Sequence, residues 1–142
     1  MMTKGMYSSN TYEWATPQHF FDQLNEEFHF TLDVCASDEN HKCEKYYTRE
    51  QDELSKKWGG VVFCNPPYGR QIWKWVKKGS EANATVVMLL PARTDTAWFH
   101  DYIYGKAEIR FVRGRIRFND ADNAPFPSMV VVFRGEGEHG LD

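Results

Sequence analysis

Apolar residues fall into two periods along this chain. Phe20, Phe21, Leu24 and Phe28 recur at helical spacing. Thr16-Pro17 just ahead of them reads as a helix start, with Thr as N-cap and Pro at the first helical position. Residues 30–37 then predict a strand that ends in small side chains, and Tyr46-Tyr47-Thr48 a short second one. Residues 49–58 read as a short helix or turn. Val61-Val62-Phe63 is a continuous apolar run, as in a buried strand, and after Gly69 the residues Ile72, Trp73 and Val76 form a helical face. Lys74, Lys77 and Lys78 lie on the rest of that helix. Residues 85–90 predict a central parallel strand, stopped by Pro91. Trp98, Phe99, Tyr102 and Ile103 predict a further helix, capped by Thr94 or Asp95. Residues 108–112 and 115–118, joined at Arg113-Gly114, predict a hairpin. Residues 124–127 read as a stiff loop, and 128–133 as the last strand.

Strands alternating with helices predict an α/β fold with an open mixed sheet, parallel strands at its centre and the final strands as an antiparallel edge. The stretch between the first strand and Asn65 is short for a full doubly wound sheet, so the second strand region is expected to be abbreviated. At 142 residues the chain is expected to be one domain, with a core over about 11–134 and frayed ends at residues 1–9 and from Gly135 onward. It leaves no room for a separate target-recognition domain.

Charge and cysteine content narrow the function classes. A net charge of −3 argues against a broad nucleic-acid-coating surface and leaves room for a local basic groove. Cys35, Cys43 and Cys64 are odd in number, which fits reduced thiols and a cytoplasmic location. His41-x-Cys43 near Cys35 lacks the paired spacing of a zinc site, so no metal is expected. No apolar run approaches the roughly 18 residues needed to span a membrane.

The chemistry concentrates in Asn65-Pro66-Pro67-Tyr68, at the end of a strand and before a helix, the edge where open α/β sheets hold ligands. Proline lacks an N–H and holds the residue before it extended. The carbonyls of Asn65 and Pro66 are therefore expected to lack local partners, and the Asn65 side chain adds a further acceptor. Two fixed acceptors match the two hydrogens of an NH2 group, and Tyr68 offers a flat face to a planar ring. Holding both hydrogens favours the pyramidal amine, whose lone pair is free to attack.

This stretch resembles the signature of amino-methyltransferases that use S-adenosylmethionine. The chain from Trp14 to Ser128 resembles the phage-type DNA N6-adenine methyltransferase (Dam-like) family, which the 91–96 run Pro-Ala-Arg-Thr-Asp-Thr matches closely. The resemblance implies a compact Rossmann-like methyltransferase domain acting on a flipped adenine in DNA, in the host-cell cytoplasm if phage-encoded. It implies that Thr16 and Pro17 lie against the methionine part of the cofactor and that Asp33 opens the first cofactor motif. Ala36 and Ser37 stand where that motif usually carries glycines. Asp52 resembles the acidic position that meets the cofactor's adenine, with Glu50 and Glu53 as alternatives.

DNA contacts are expected outside that motif. Arg93 is either a substrate-phosphate contact or a salt-bridge organiser of its loop. Arg113, Arg115 and Arg117 alternate, so a strand places them on one face, suited to a nucleic-acid backbone. Phe118 is a candidate to meet the extruded base. Specificity then falls to the loops around Arg93 and residues 113–122, or to a homodimer. Two other readings stay open: the same chemistry on an RNA adenine or a protein glutamine amide, or a degenerate module that only binds nucleic acid.

Overall fold

A computed structural model describes residues 14–120 and 123–135. The ends expected to fray, residues 1–9 and those beyond Gly135, lie outside the described residues, as do 121 and 122. Six strands form one sheet: β1 (Leu32–Ala36), β2 (Tyr46–Thr48), β3 (Val61–Cys64), β4 (Thr85–Pro91), β5 (Glu108–Phe111) and β6 (Ser128–Arg134). Their order is β2-β1-β3-β4-β6-β5. The first four are parallel, β6 runs antiparallel to β4, and β5 runs antiparallel to β6. This is the Rossmann-like mixed sheet expected. The second strand region is short: β2 has three residues, and two single turns, Arg49–Gln51 and Glu53–Ser55, stand where a crossover helix would be.

Burial follows the apolar runs. Every residue of β4 is buried, because β3 and β6 flank it and both faces are covered. Helix α1 (Gln18–Phe28) turns Phe21 and Leu24 inward, and the Phe21 ring meets Phe63 edge-on at 5.1 Å. It stops at His29, in the left-handed region, where the Asn25 carbonyl accepts the His29 N–H and the Asn25 side chain accepts that of Phe30. Helix α2 (Ile72–Glu81) buries Ile72, Val76 and Gly79. A Cβ at Gly79 would stand 3.0 Å from Met88 Sδ, so glycine lets the helix settle close to β4.

Four expectations are corrected. Trp73 is 42% exposed rather than on the buried face of α2; the half-buried tryptophan is Trp75. Pro17, not Thr16, stands at the N-cap of α1, and no side chain caps that end. Thr94 and Asp95 do not cap the next helix: Thr96 Oγ1 accepts the Phe99 N–H at 3.3 Å, and the helix widens to a π turn over Phe99–Ile103. The hairpin of residues 108–118 is absent. β5 pairs with β6 instead, since the outer edge of β6 offers a full row of partners to β5. Residues 115–117 form no strand, and Phe118–Asp120 closes in a short turn. Ile116 and Phe118 are nonetheless buried while Arg113, Arg115 and Arg117 are exposed, so the alternation survives without the strand.

Candidate active site

The chain leaves β1 toward β2 on one side, and β3 lies on the other, so strand order reverses at β1. The crevice outside the carboxyl ends of β1 and β3 is the place where open α/β sheets hold ligands. A cavity of about 780 Å³ lies there. Its walls come from Cys35, Ala36 and Ser37 at the end of β1, and from Asn65, Pro67, Tyr68 and Gly69 after β3. Asp52, Glu53 and Leu54 close it from the turns after β2, and Trp75 from α2. That volume suits a nucleoside-sized ligand.

Asn65 is the most tightly determined polar group of the cavity. Its Nδ2 donates to the Trp14 carbonyl and to Thr16 Oγ1, the latter at 2.9 Å. Both amide hydrogens are thus spoken for, which fixes which way the carboxamide points. Its Oδ1 is buried and accepts no hydrogen bond. A buried acceptor without a donor costs about 1–3 kcal/mol, so this atom is built for a donor brought by something else. Pro66 is buried and Pro67 lies on the cavity wall.

Tyr68 forms part of the wall but is only 6% exposed. Its hydroxyl donates to the Leu89 carbonyl at 2.8 Å, and Phe126 meets its ring edge-on at 5.6 Å. Burial pushes its phenol well above the ordinary range, so it stays protonated as that donor.

The acidic side of the cavity belongs to Glu53. Its carboxylate accepts the Trp75 indole N–H at 3.1 Å, and its backbone carbonyl accepts that of Trp58 at 3.0 Å. Burial raises its pKa, against the opposing pull of these bonds. Asp52 sits beside it, exposed and in the left-handed region at φ 57°.

Asp33 stands apart from the cavity. Its Oδ1 accepts the Cys35 N–H at 3.2 Å and its Oδ2 accepts that of Lys42 at 2.9 Å, so the buried carboxylate ties the β1 end to the following loop. Without glycines after it, the chain uses this clamp to bring Ala36 and Ser37 to the wall. Thr16 and Pro17 are buried behind Ala15, which reaches the cavity in their place. Cys35 and Cys64 are free thiols with sulfurs 3.7 Å apart, and burial holds both above the usual range.

The remaining expected residues lie outside. Arg93 is exposed, with its guanidinium 5.9 Å from the Phe126 ring. Arg113 and Arg115 are exposed in the loop after β5, where Arg115 donates to the Ala124 carbonyl at 3.2 Å. Phe118 is corrected: it is 1% exposed and packs against Trp14 and Phe126, so its ring serves the core and offers no face to a base. Trp75 and Ala15 were missed. Trp75 gave a signal, as the helix residue three positions past Ile72; nothing local distinguished Ala15. His41, read as a metal candidate, stacks on Tyr46 at 3.9 Å and contacts the Cys43 carbonyl.

Sheet order, switch-point cavity and the abbreviated β2 region define a Rossmann-like methyltransferase domain. The chain belongs to the DNA N-6-adenine-methyltransferase (Dam) family, whose model matches residues 6–135. It is 32% identical over 154 residues to the DNA N-6-adenine-methyltransferase of Haemophilus phage HP1 (strain HP1c1), covering 99% of this chain and 89% of that protein. It is 39% identical over 105 residues to the DNA N-6-adenine-methyltransferase of Escherichia phage T1, covering 70% of this chain and 44% of that protein. Among the described residues, no helix is long and apolar enough to cross a membrane.

Proposed function

We propose that residues 1–142 act as one methyltransferase domain that methylates N6 of adenine in DNA, with S-adenosylmethionine as donor. The observation that carries the reading is the buried, partnerless Asn65 Oδ1 on the wall of a nucleoside-sized cavity. The cavity suits the donor on three counts. It has room, a buried carboxylate at Glu53 for hydroxyl or amine hydrogens, and a backbone at Ala36-Ser37 with small side chains that allow close approach. Glu53, with Asp52 beside it, would hold the adenosine part. Ala36, Ser37 and the 15–17 segment would hold the amino-acid part. When bound, S-adenosylmethionine supplies an electrophilic methyl group.

The chain's own part is to hold the amine. Asn65 Oδ1 accepts one N–H and the Pro66 carbonyl the other, which localises the nitrogen lone pair and aims it. Tyr68, locked through Leu89, serves as the flat wall for the ring. An adenine in a duplex must leave the stack to arrive there, at a cost of a few kcal/mol. Arg93, Arg113 and Arg115 would hold the phosphates around it. The reaction belongs in the cytoplasm, and a homodimer would extend the DNA-contacting surface.

The test is incubation with labelled S-adenosylmethionine and DNA, RNA or protein acceptors, followed by analysis of the labelled product. N6-methyladenine from DNA is expected. Label in RNA adenine or in glutamine would move the acceptor and keep the chemistry. No binding of S-adenosylmethionine by calorimetry would leave a nucleic-acid-binding module and overturn the reading.

A further inference from the structure

The segment Trp14-Ala15-Thr16 is a strap held from two sides. On one side Asn65 donates both hydrogens of Nδ2 to it, to the Trp14 carbonyl and to Thr16 Oγ1. On the other side Asn119 grips Ala15 twice: its Oδ1 accepts the Ala15 N–H at 3.0 Å, and its backbone N–H donates to the Ala15 carbonyl at 3.0 Å. Asn119 takes a left-handed conformation, φ 58°, to make both bonds at once. Asparagine is among the few side-chain-bearing residues that adopt it readily. Three stretches far apart in sequence thus meet at one tripeptide: the strap, the end of β3, and the turn that follows the Arg113–Arg115 loop.

A carboxamide has two nearly isosteric ends, and nothing in Asn65 itself decides which faces the cavity. The strap decides. Two acceptors on it claim Nδ2, so Oδ1 is the end left over. If the strap shifts, the amide is free to turn, and an NH2 facing an incoming amine is a repulsive donor in place of an acceptor.

We propose that Thr16 and Asn119 are positioning residues for Asn65: Thr16 selects the orientation of its carboxamide, and Asn119 holds the strap that carries Thr16. This rests on the amine-holding reading of Asn65. Neither residue is assigned contact with the reacting atoms. Thr16 in this role is a hydrogen-bond acceptor for the protein and not a cofactor ligand, which explains why Ala15 reaches the cavity and Thr16 does not.

Asn119→Gly tests the claim without backbone strain, since glycine accepts positive φ and keeps the backbone N–H while losing the side-chain acceptor. Asn119→Asp keeps both the acceptor and tolerance of that conformation. Two readouts are taken on the full chain. The first is the Asn65 carboxamide signal in ¹⁵N NMR without ligand, identified by its loss in Asn65→Asp. Its protons should shift and exchange faster in Asn119→Gly and return toward the wild-type position in Asn119→Asp. The second is methyl transfer to DNA: kcat should fall ~10- to 100-fold in Asn119→Gly, as for a small misplacement of a catalytic group, with KM for S-adenosylmethionine little changed and kcat restored in Asn119→Asp. An unmoved carboxamide signal, or a loss of kcat that Asp does not restore, overturns the proposal. Thr16→Val against Thr16→Ser makes the same comparison at the other end, should Asn119→Gly fail to fold. A carboxamide that moves as expected in a chain that never methylates DNA would keep the positioning role and sink the proposed function instead.

Discussion

Asn65 and Thr16 are 49 positions apart, and the Asn65 Nδ2 donates to the Thr16 hydroxyl at 2.9 Å. The bond joins the end of β3 to the segment entering α1, and it explains two departures at once. Thr16 does not cap the helix because its oxygen is engaged elsewhere. Asn65 presents a bare acceptor because its donor end is held.

Removing that acceptor removes the hold on the amine. Asn65→Ala should lower kcat by about a hundredfold or more, in the range seen for loss of one preorganised polar group. S-adenosylmethionine affinity, measured by calorimetry, should stay nearly intact, since Glu53, Ala36 and Ser37 are untouched. Retained turnover would remove Asn65 from the chemistry.

Glu53 ties stability and binding together with opposite signs. Burial raises its pKa, so the folded chain holds this proton more tightly than the unfolded one does. The stabilisation from the protonated form is complete below the ordinary glutamate value, about 4.3, and is lost as pH rises through the raised folded value. Glu53→Gln has no such loss. Urea unfolding should therefore show the variant gaining on the wild type as pH rises from about 4 and then levelling off. The same substitution should weaken S-adenosylmethionine binding at neutral pH. A stability difference independent of pH would mean that the carboxylate is not strained by burial.

Tyr68→Phe separates the ring from the hydroxyl. It keeps the wall of the cavity and deletes the buried bond to Leu89. Unfolding free energy should drop by about 1 kcal/mol, while methyl transfer persists within a few-fold. A collapse of kcat with stability unchanged would assign the hydroxyl a part in the reaction.

Arg113 and Arg115 stand exposed in one loop. Replacing both with Ala should weaken DNA binding and reduce the slope of log K against log salt by about 2, at roughly 0.9 for each phosphate released. Fluorescence anisotropy over a salt series reads this directly. An unchanged slope would place the phosphates against another surface, with Arg93 the next candidate.

Much of this protein was legible in its sequence because the signals are local. Period decides a helix from a strand, so α1, α2, β1, β3, β4 and β6 follow from the spacing of their apolar residues. Asn-Pro-Pro-Tyr carries its chemistry in its own backbone, since two prolines remove donors wherever they stand. What the tertiary structure alone decided are matters of pairing at a distance. β5 joins β6 rather than residues 115–118, because a neighbouring strand edge outcompetes a local turn. Asp33 became a loop clamp and Phe118 a core ring, because burial depends on what folds over a residue. Asn65 is the clearest case: the sequence supplied a carboxamide, and Trp14, Thr16 and Asn119 decided which of its ends is left to bind.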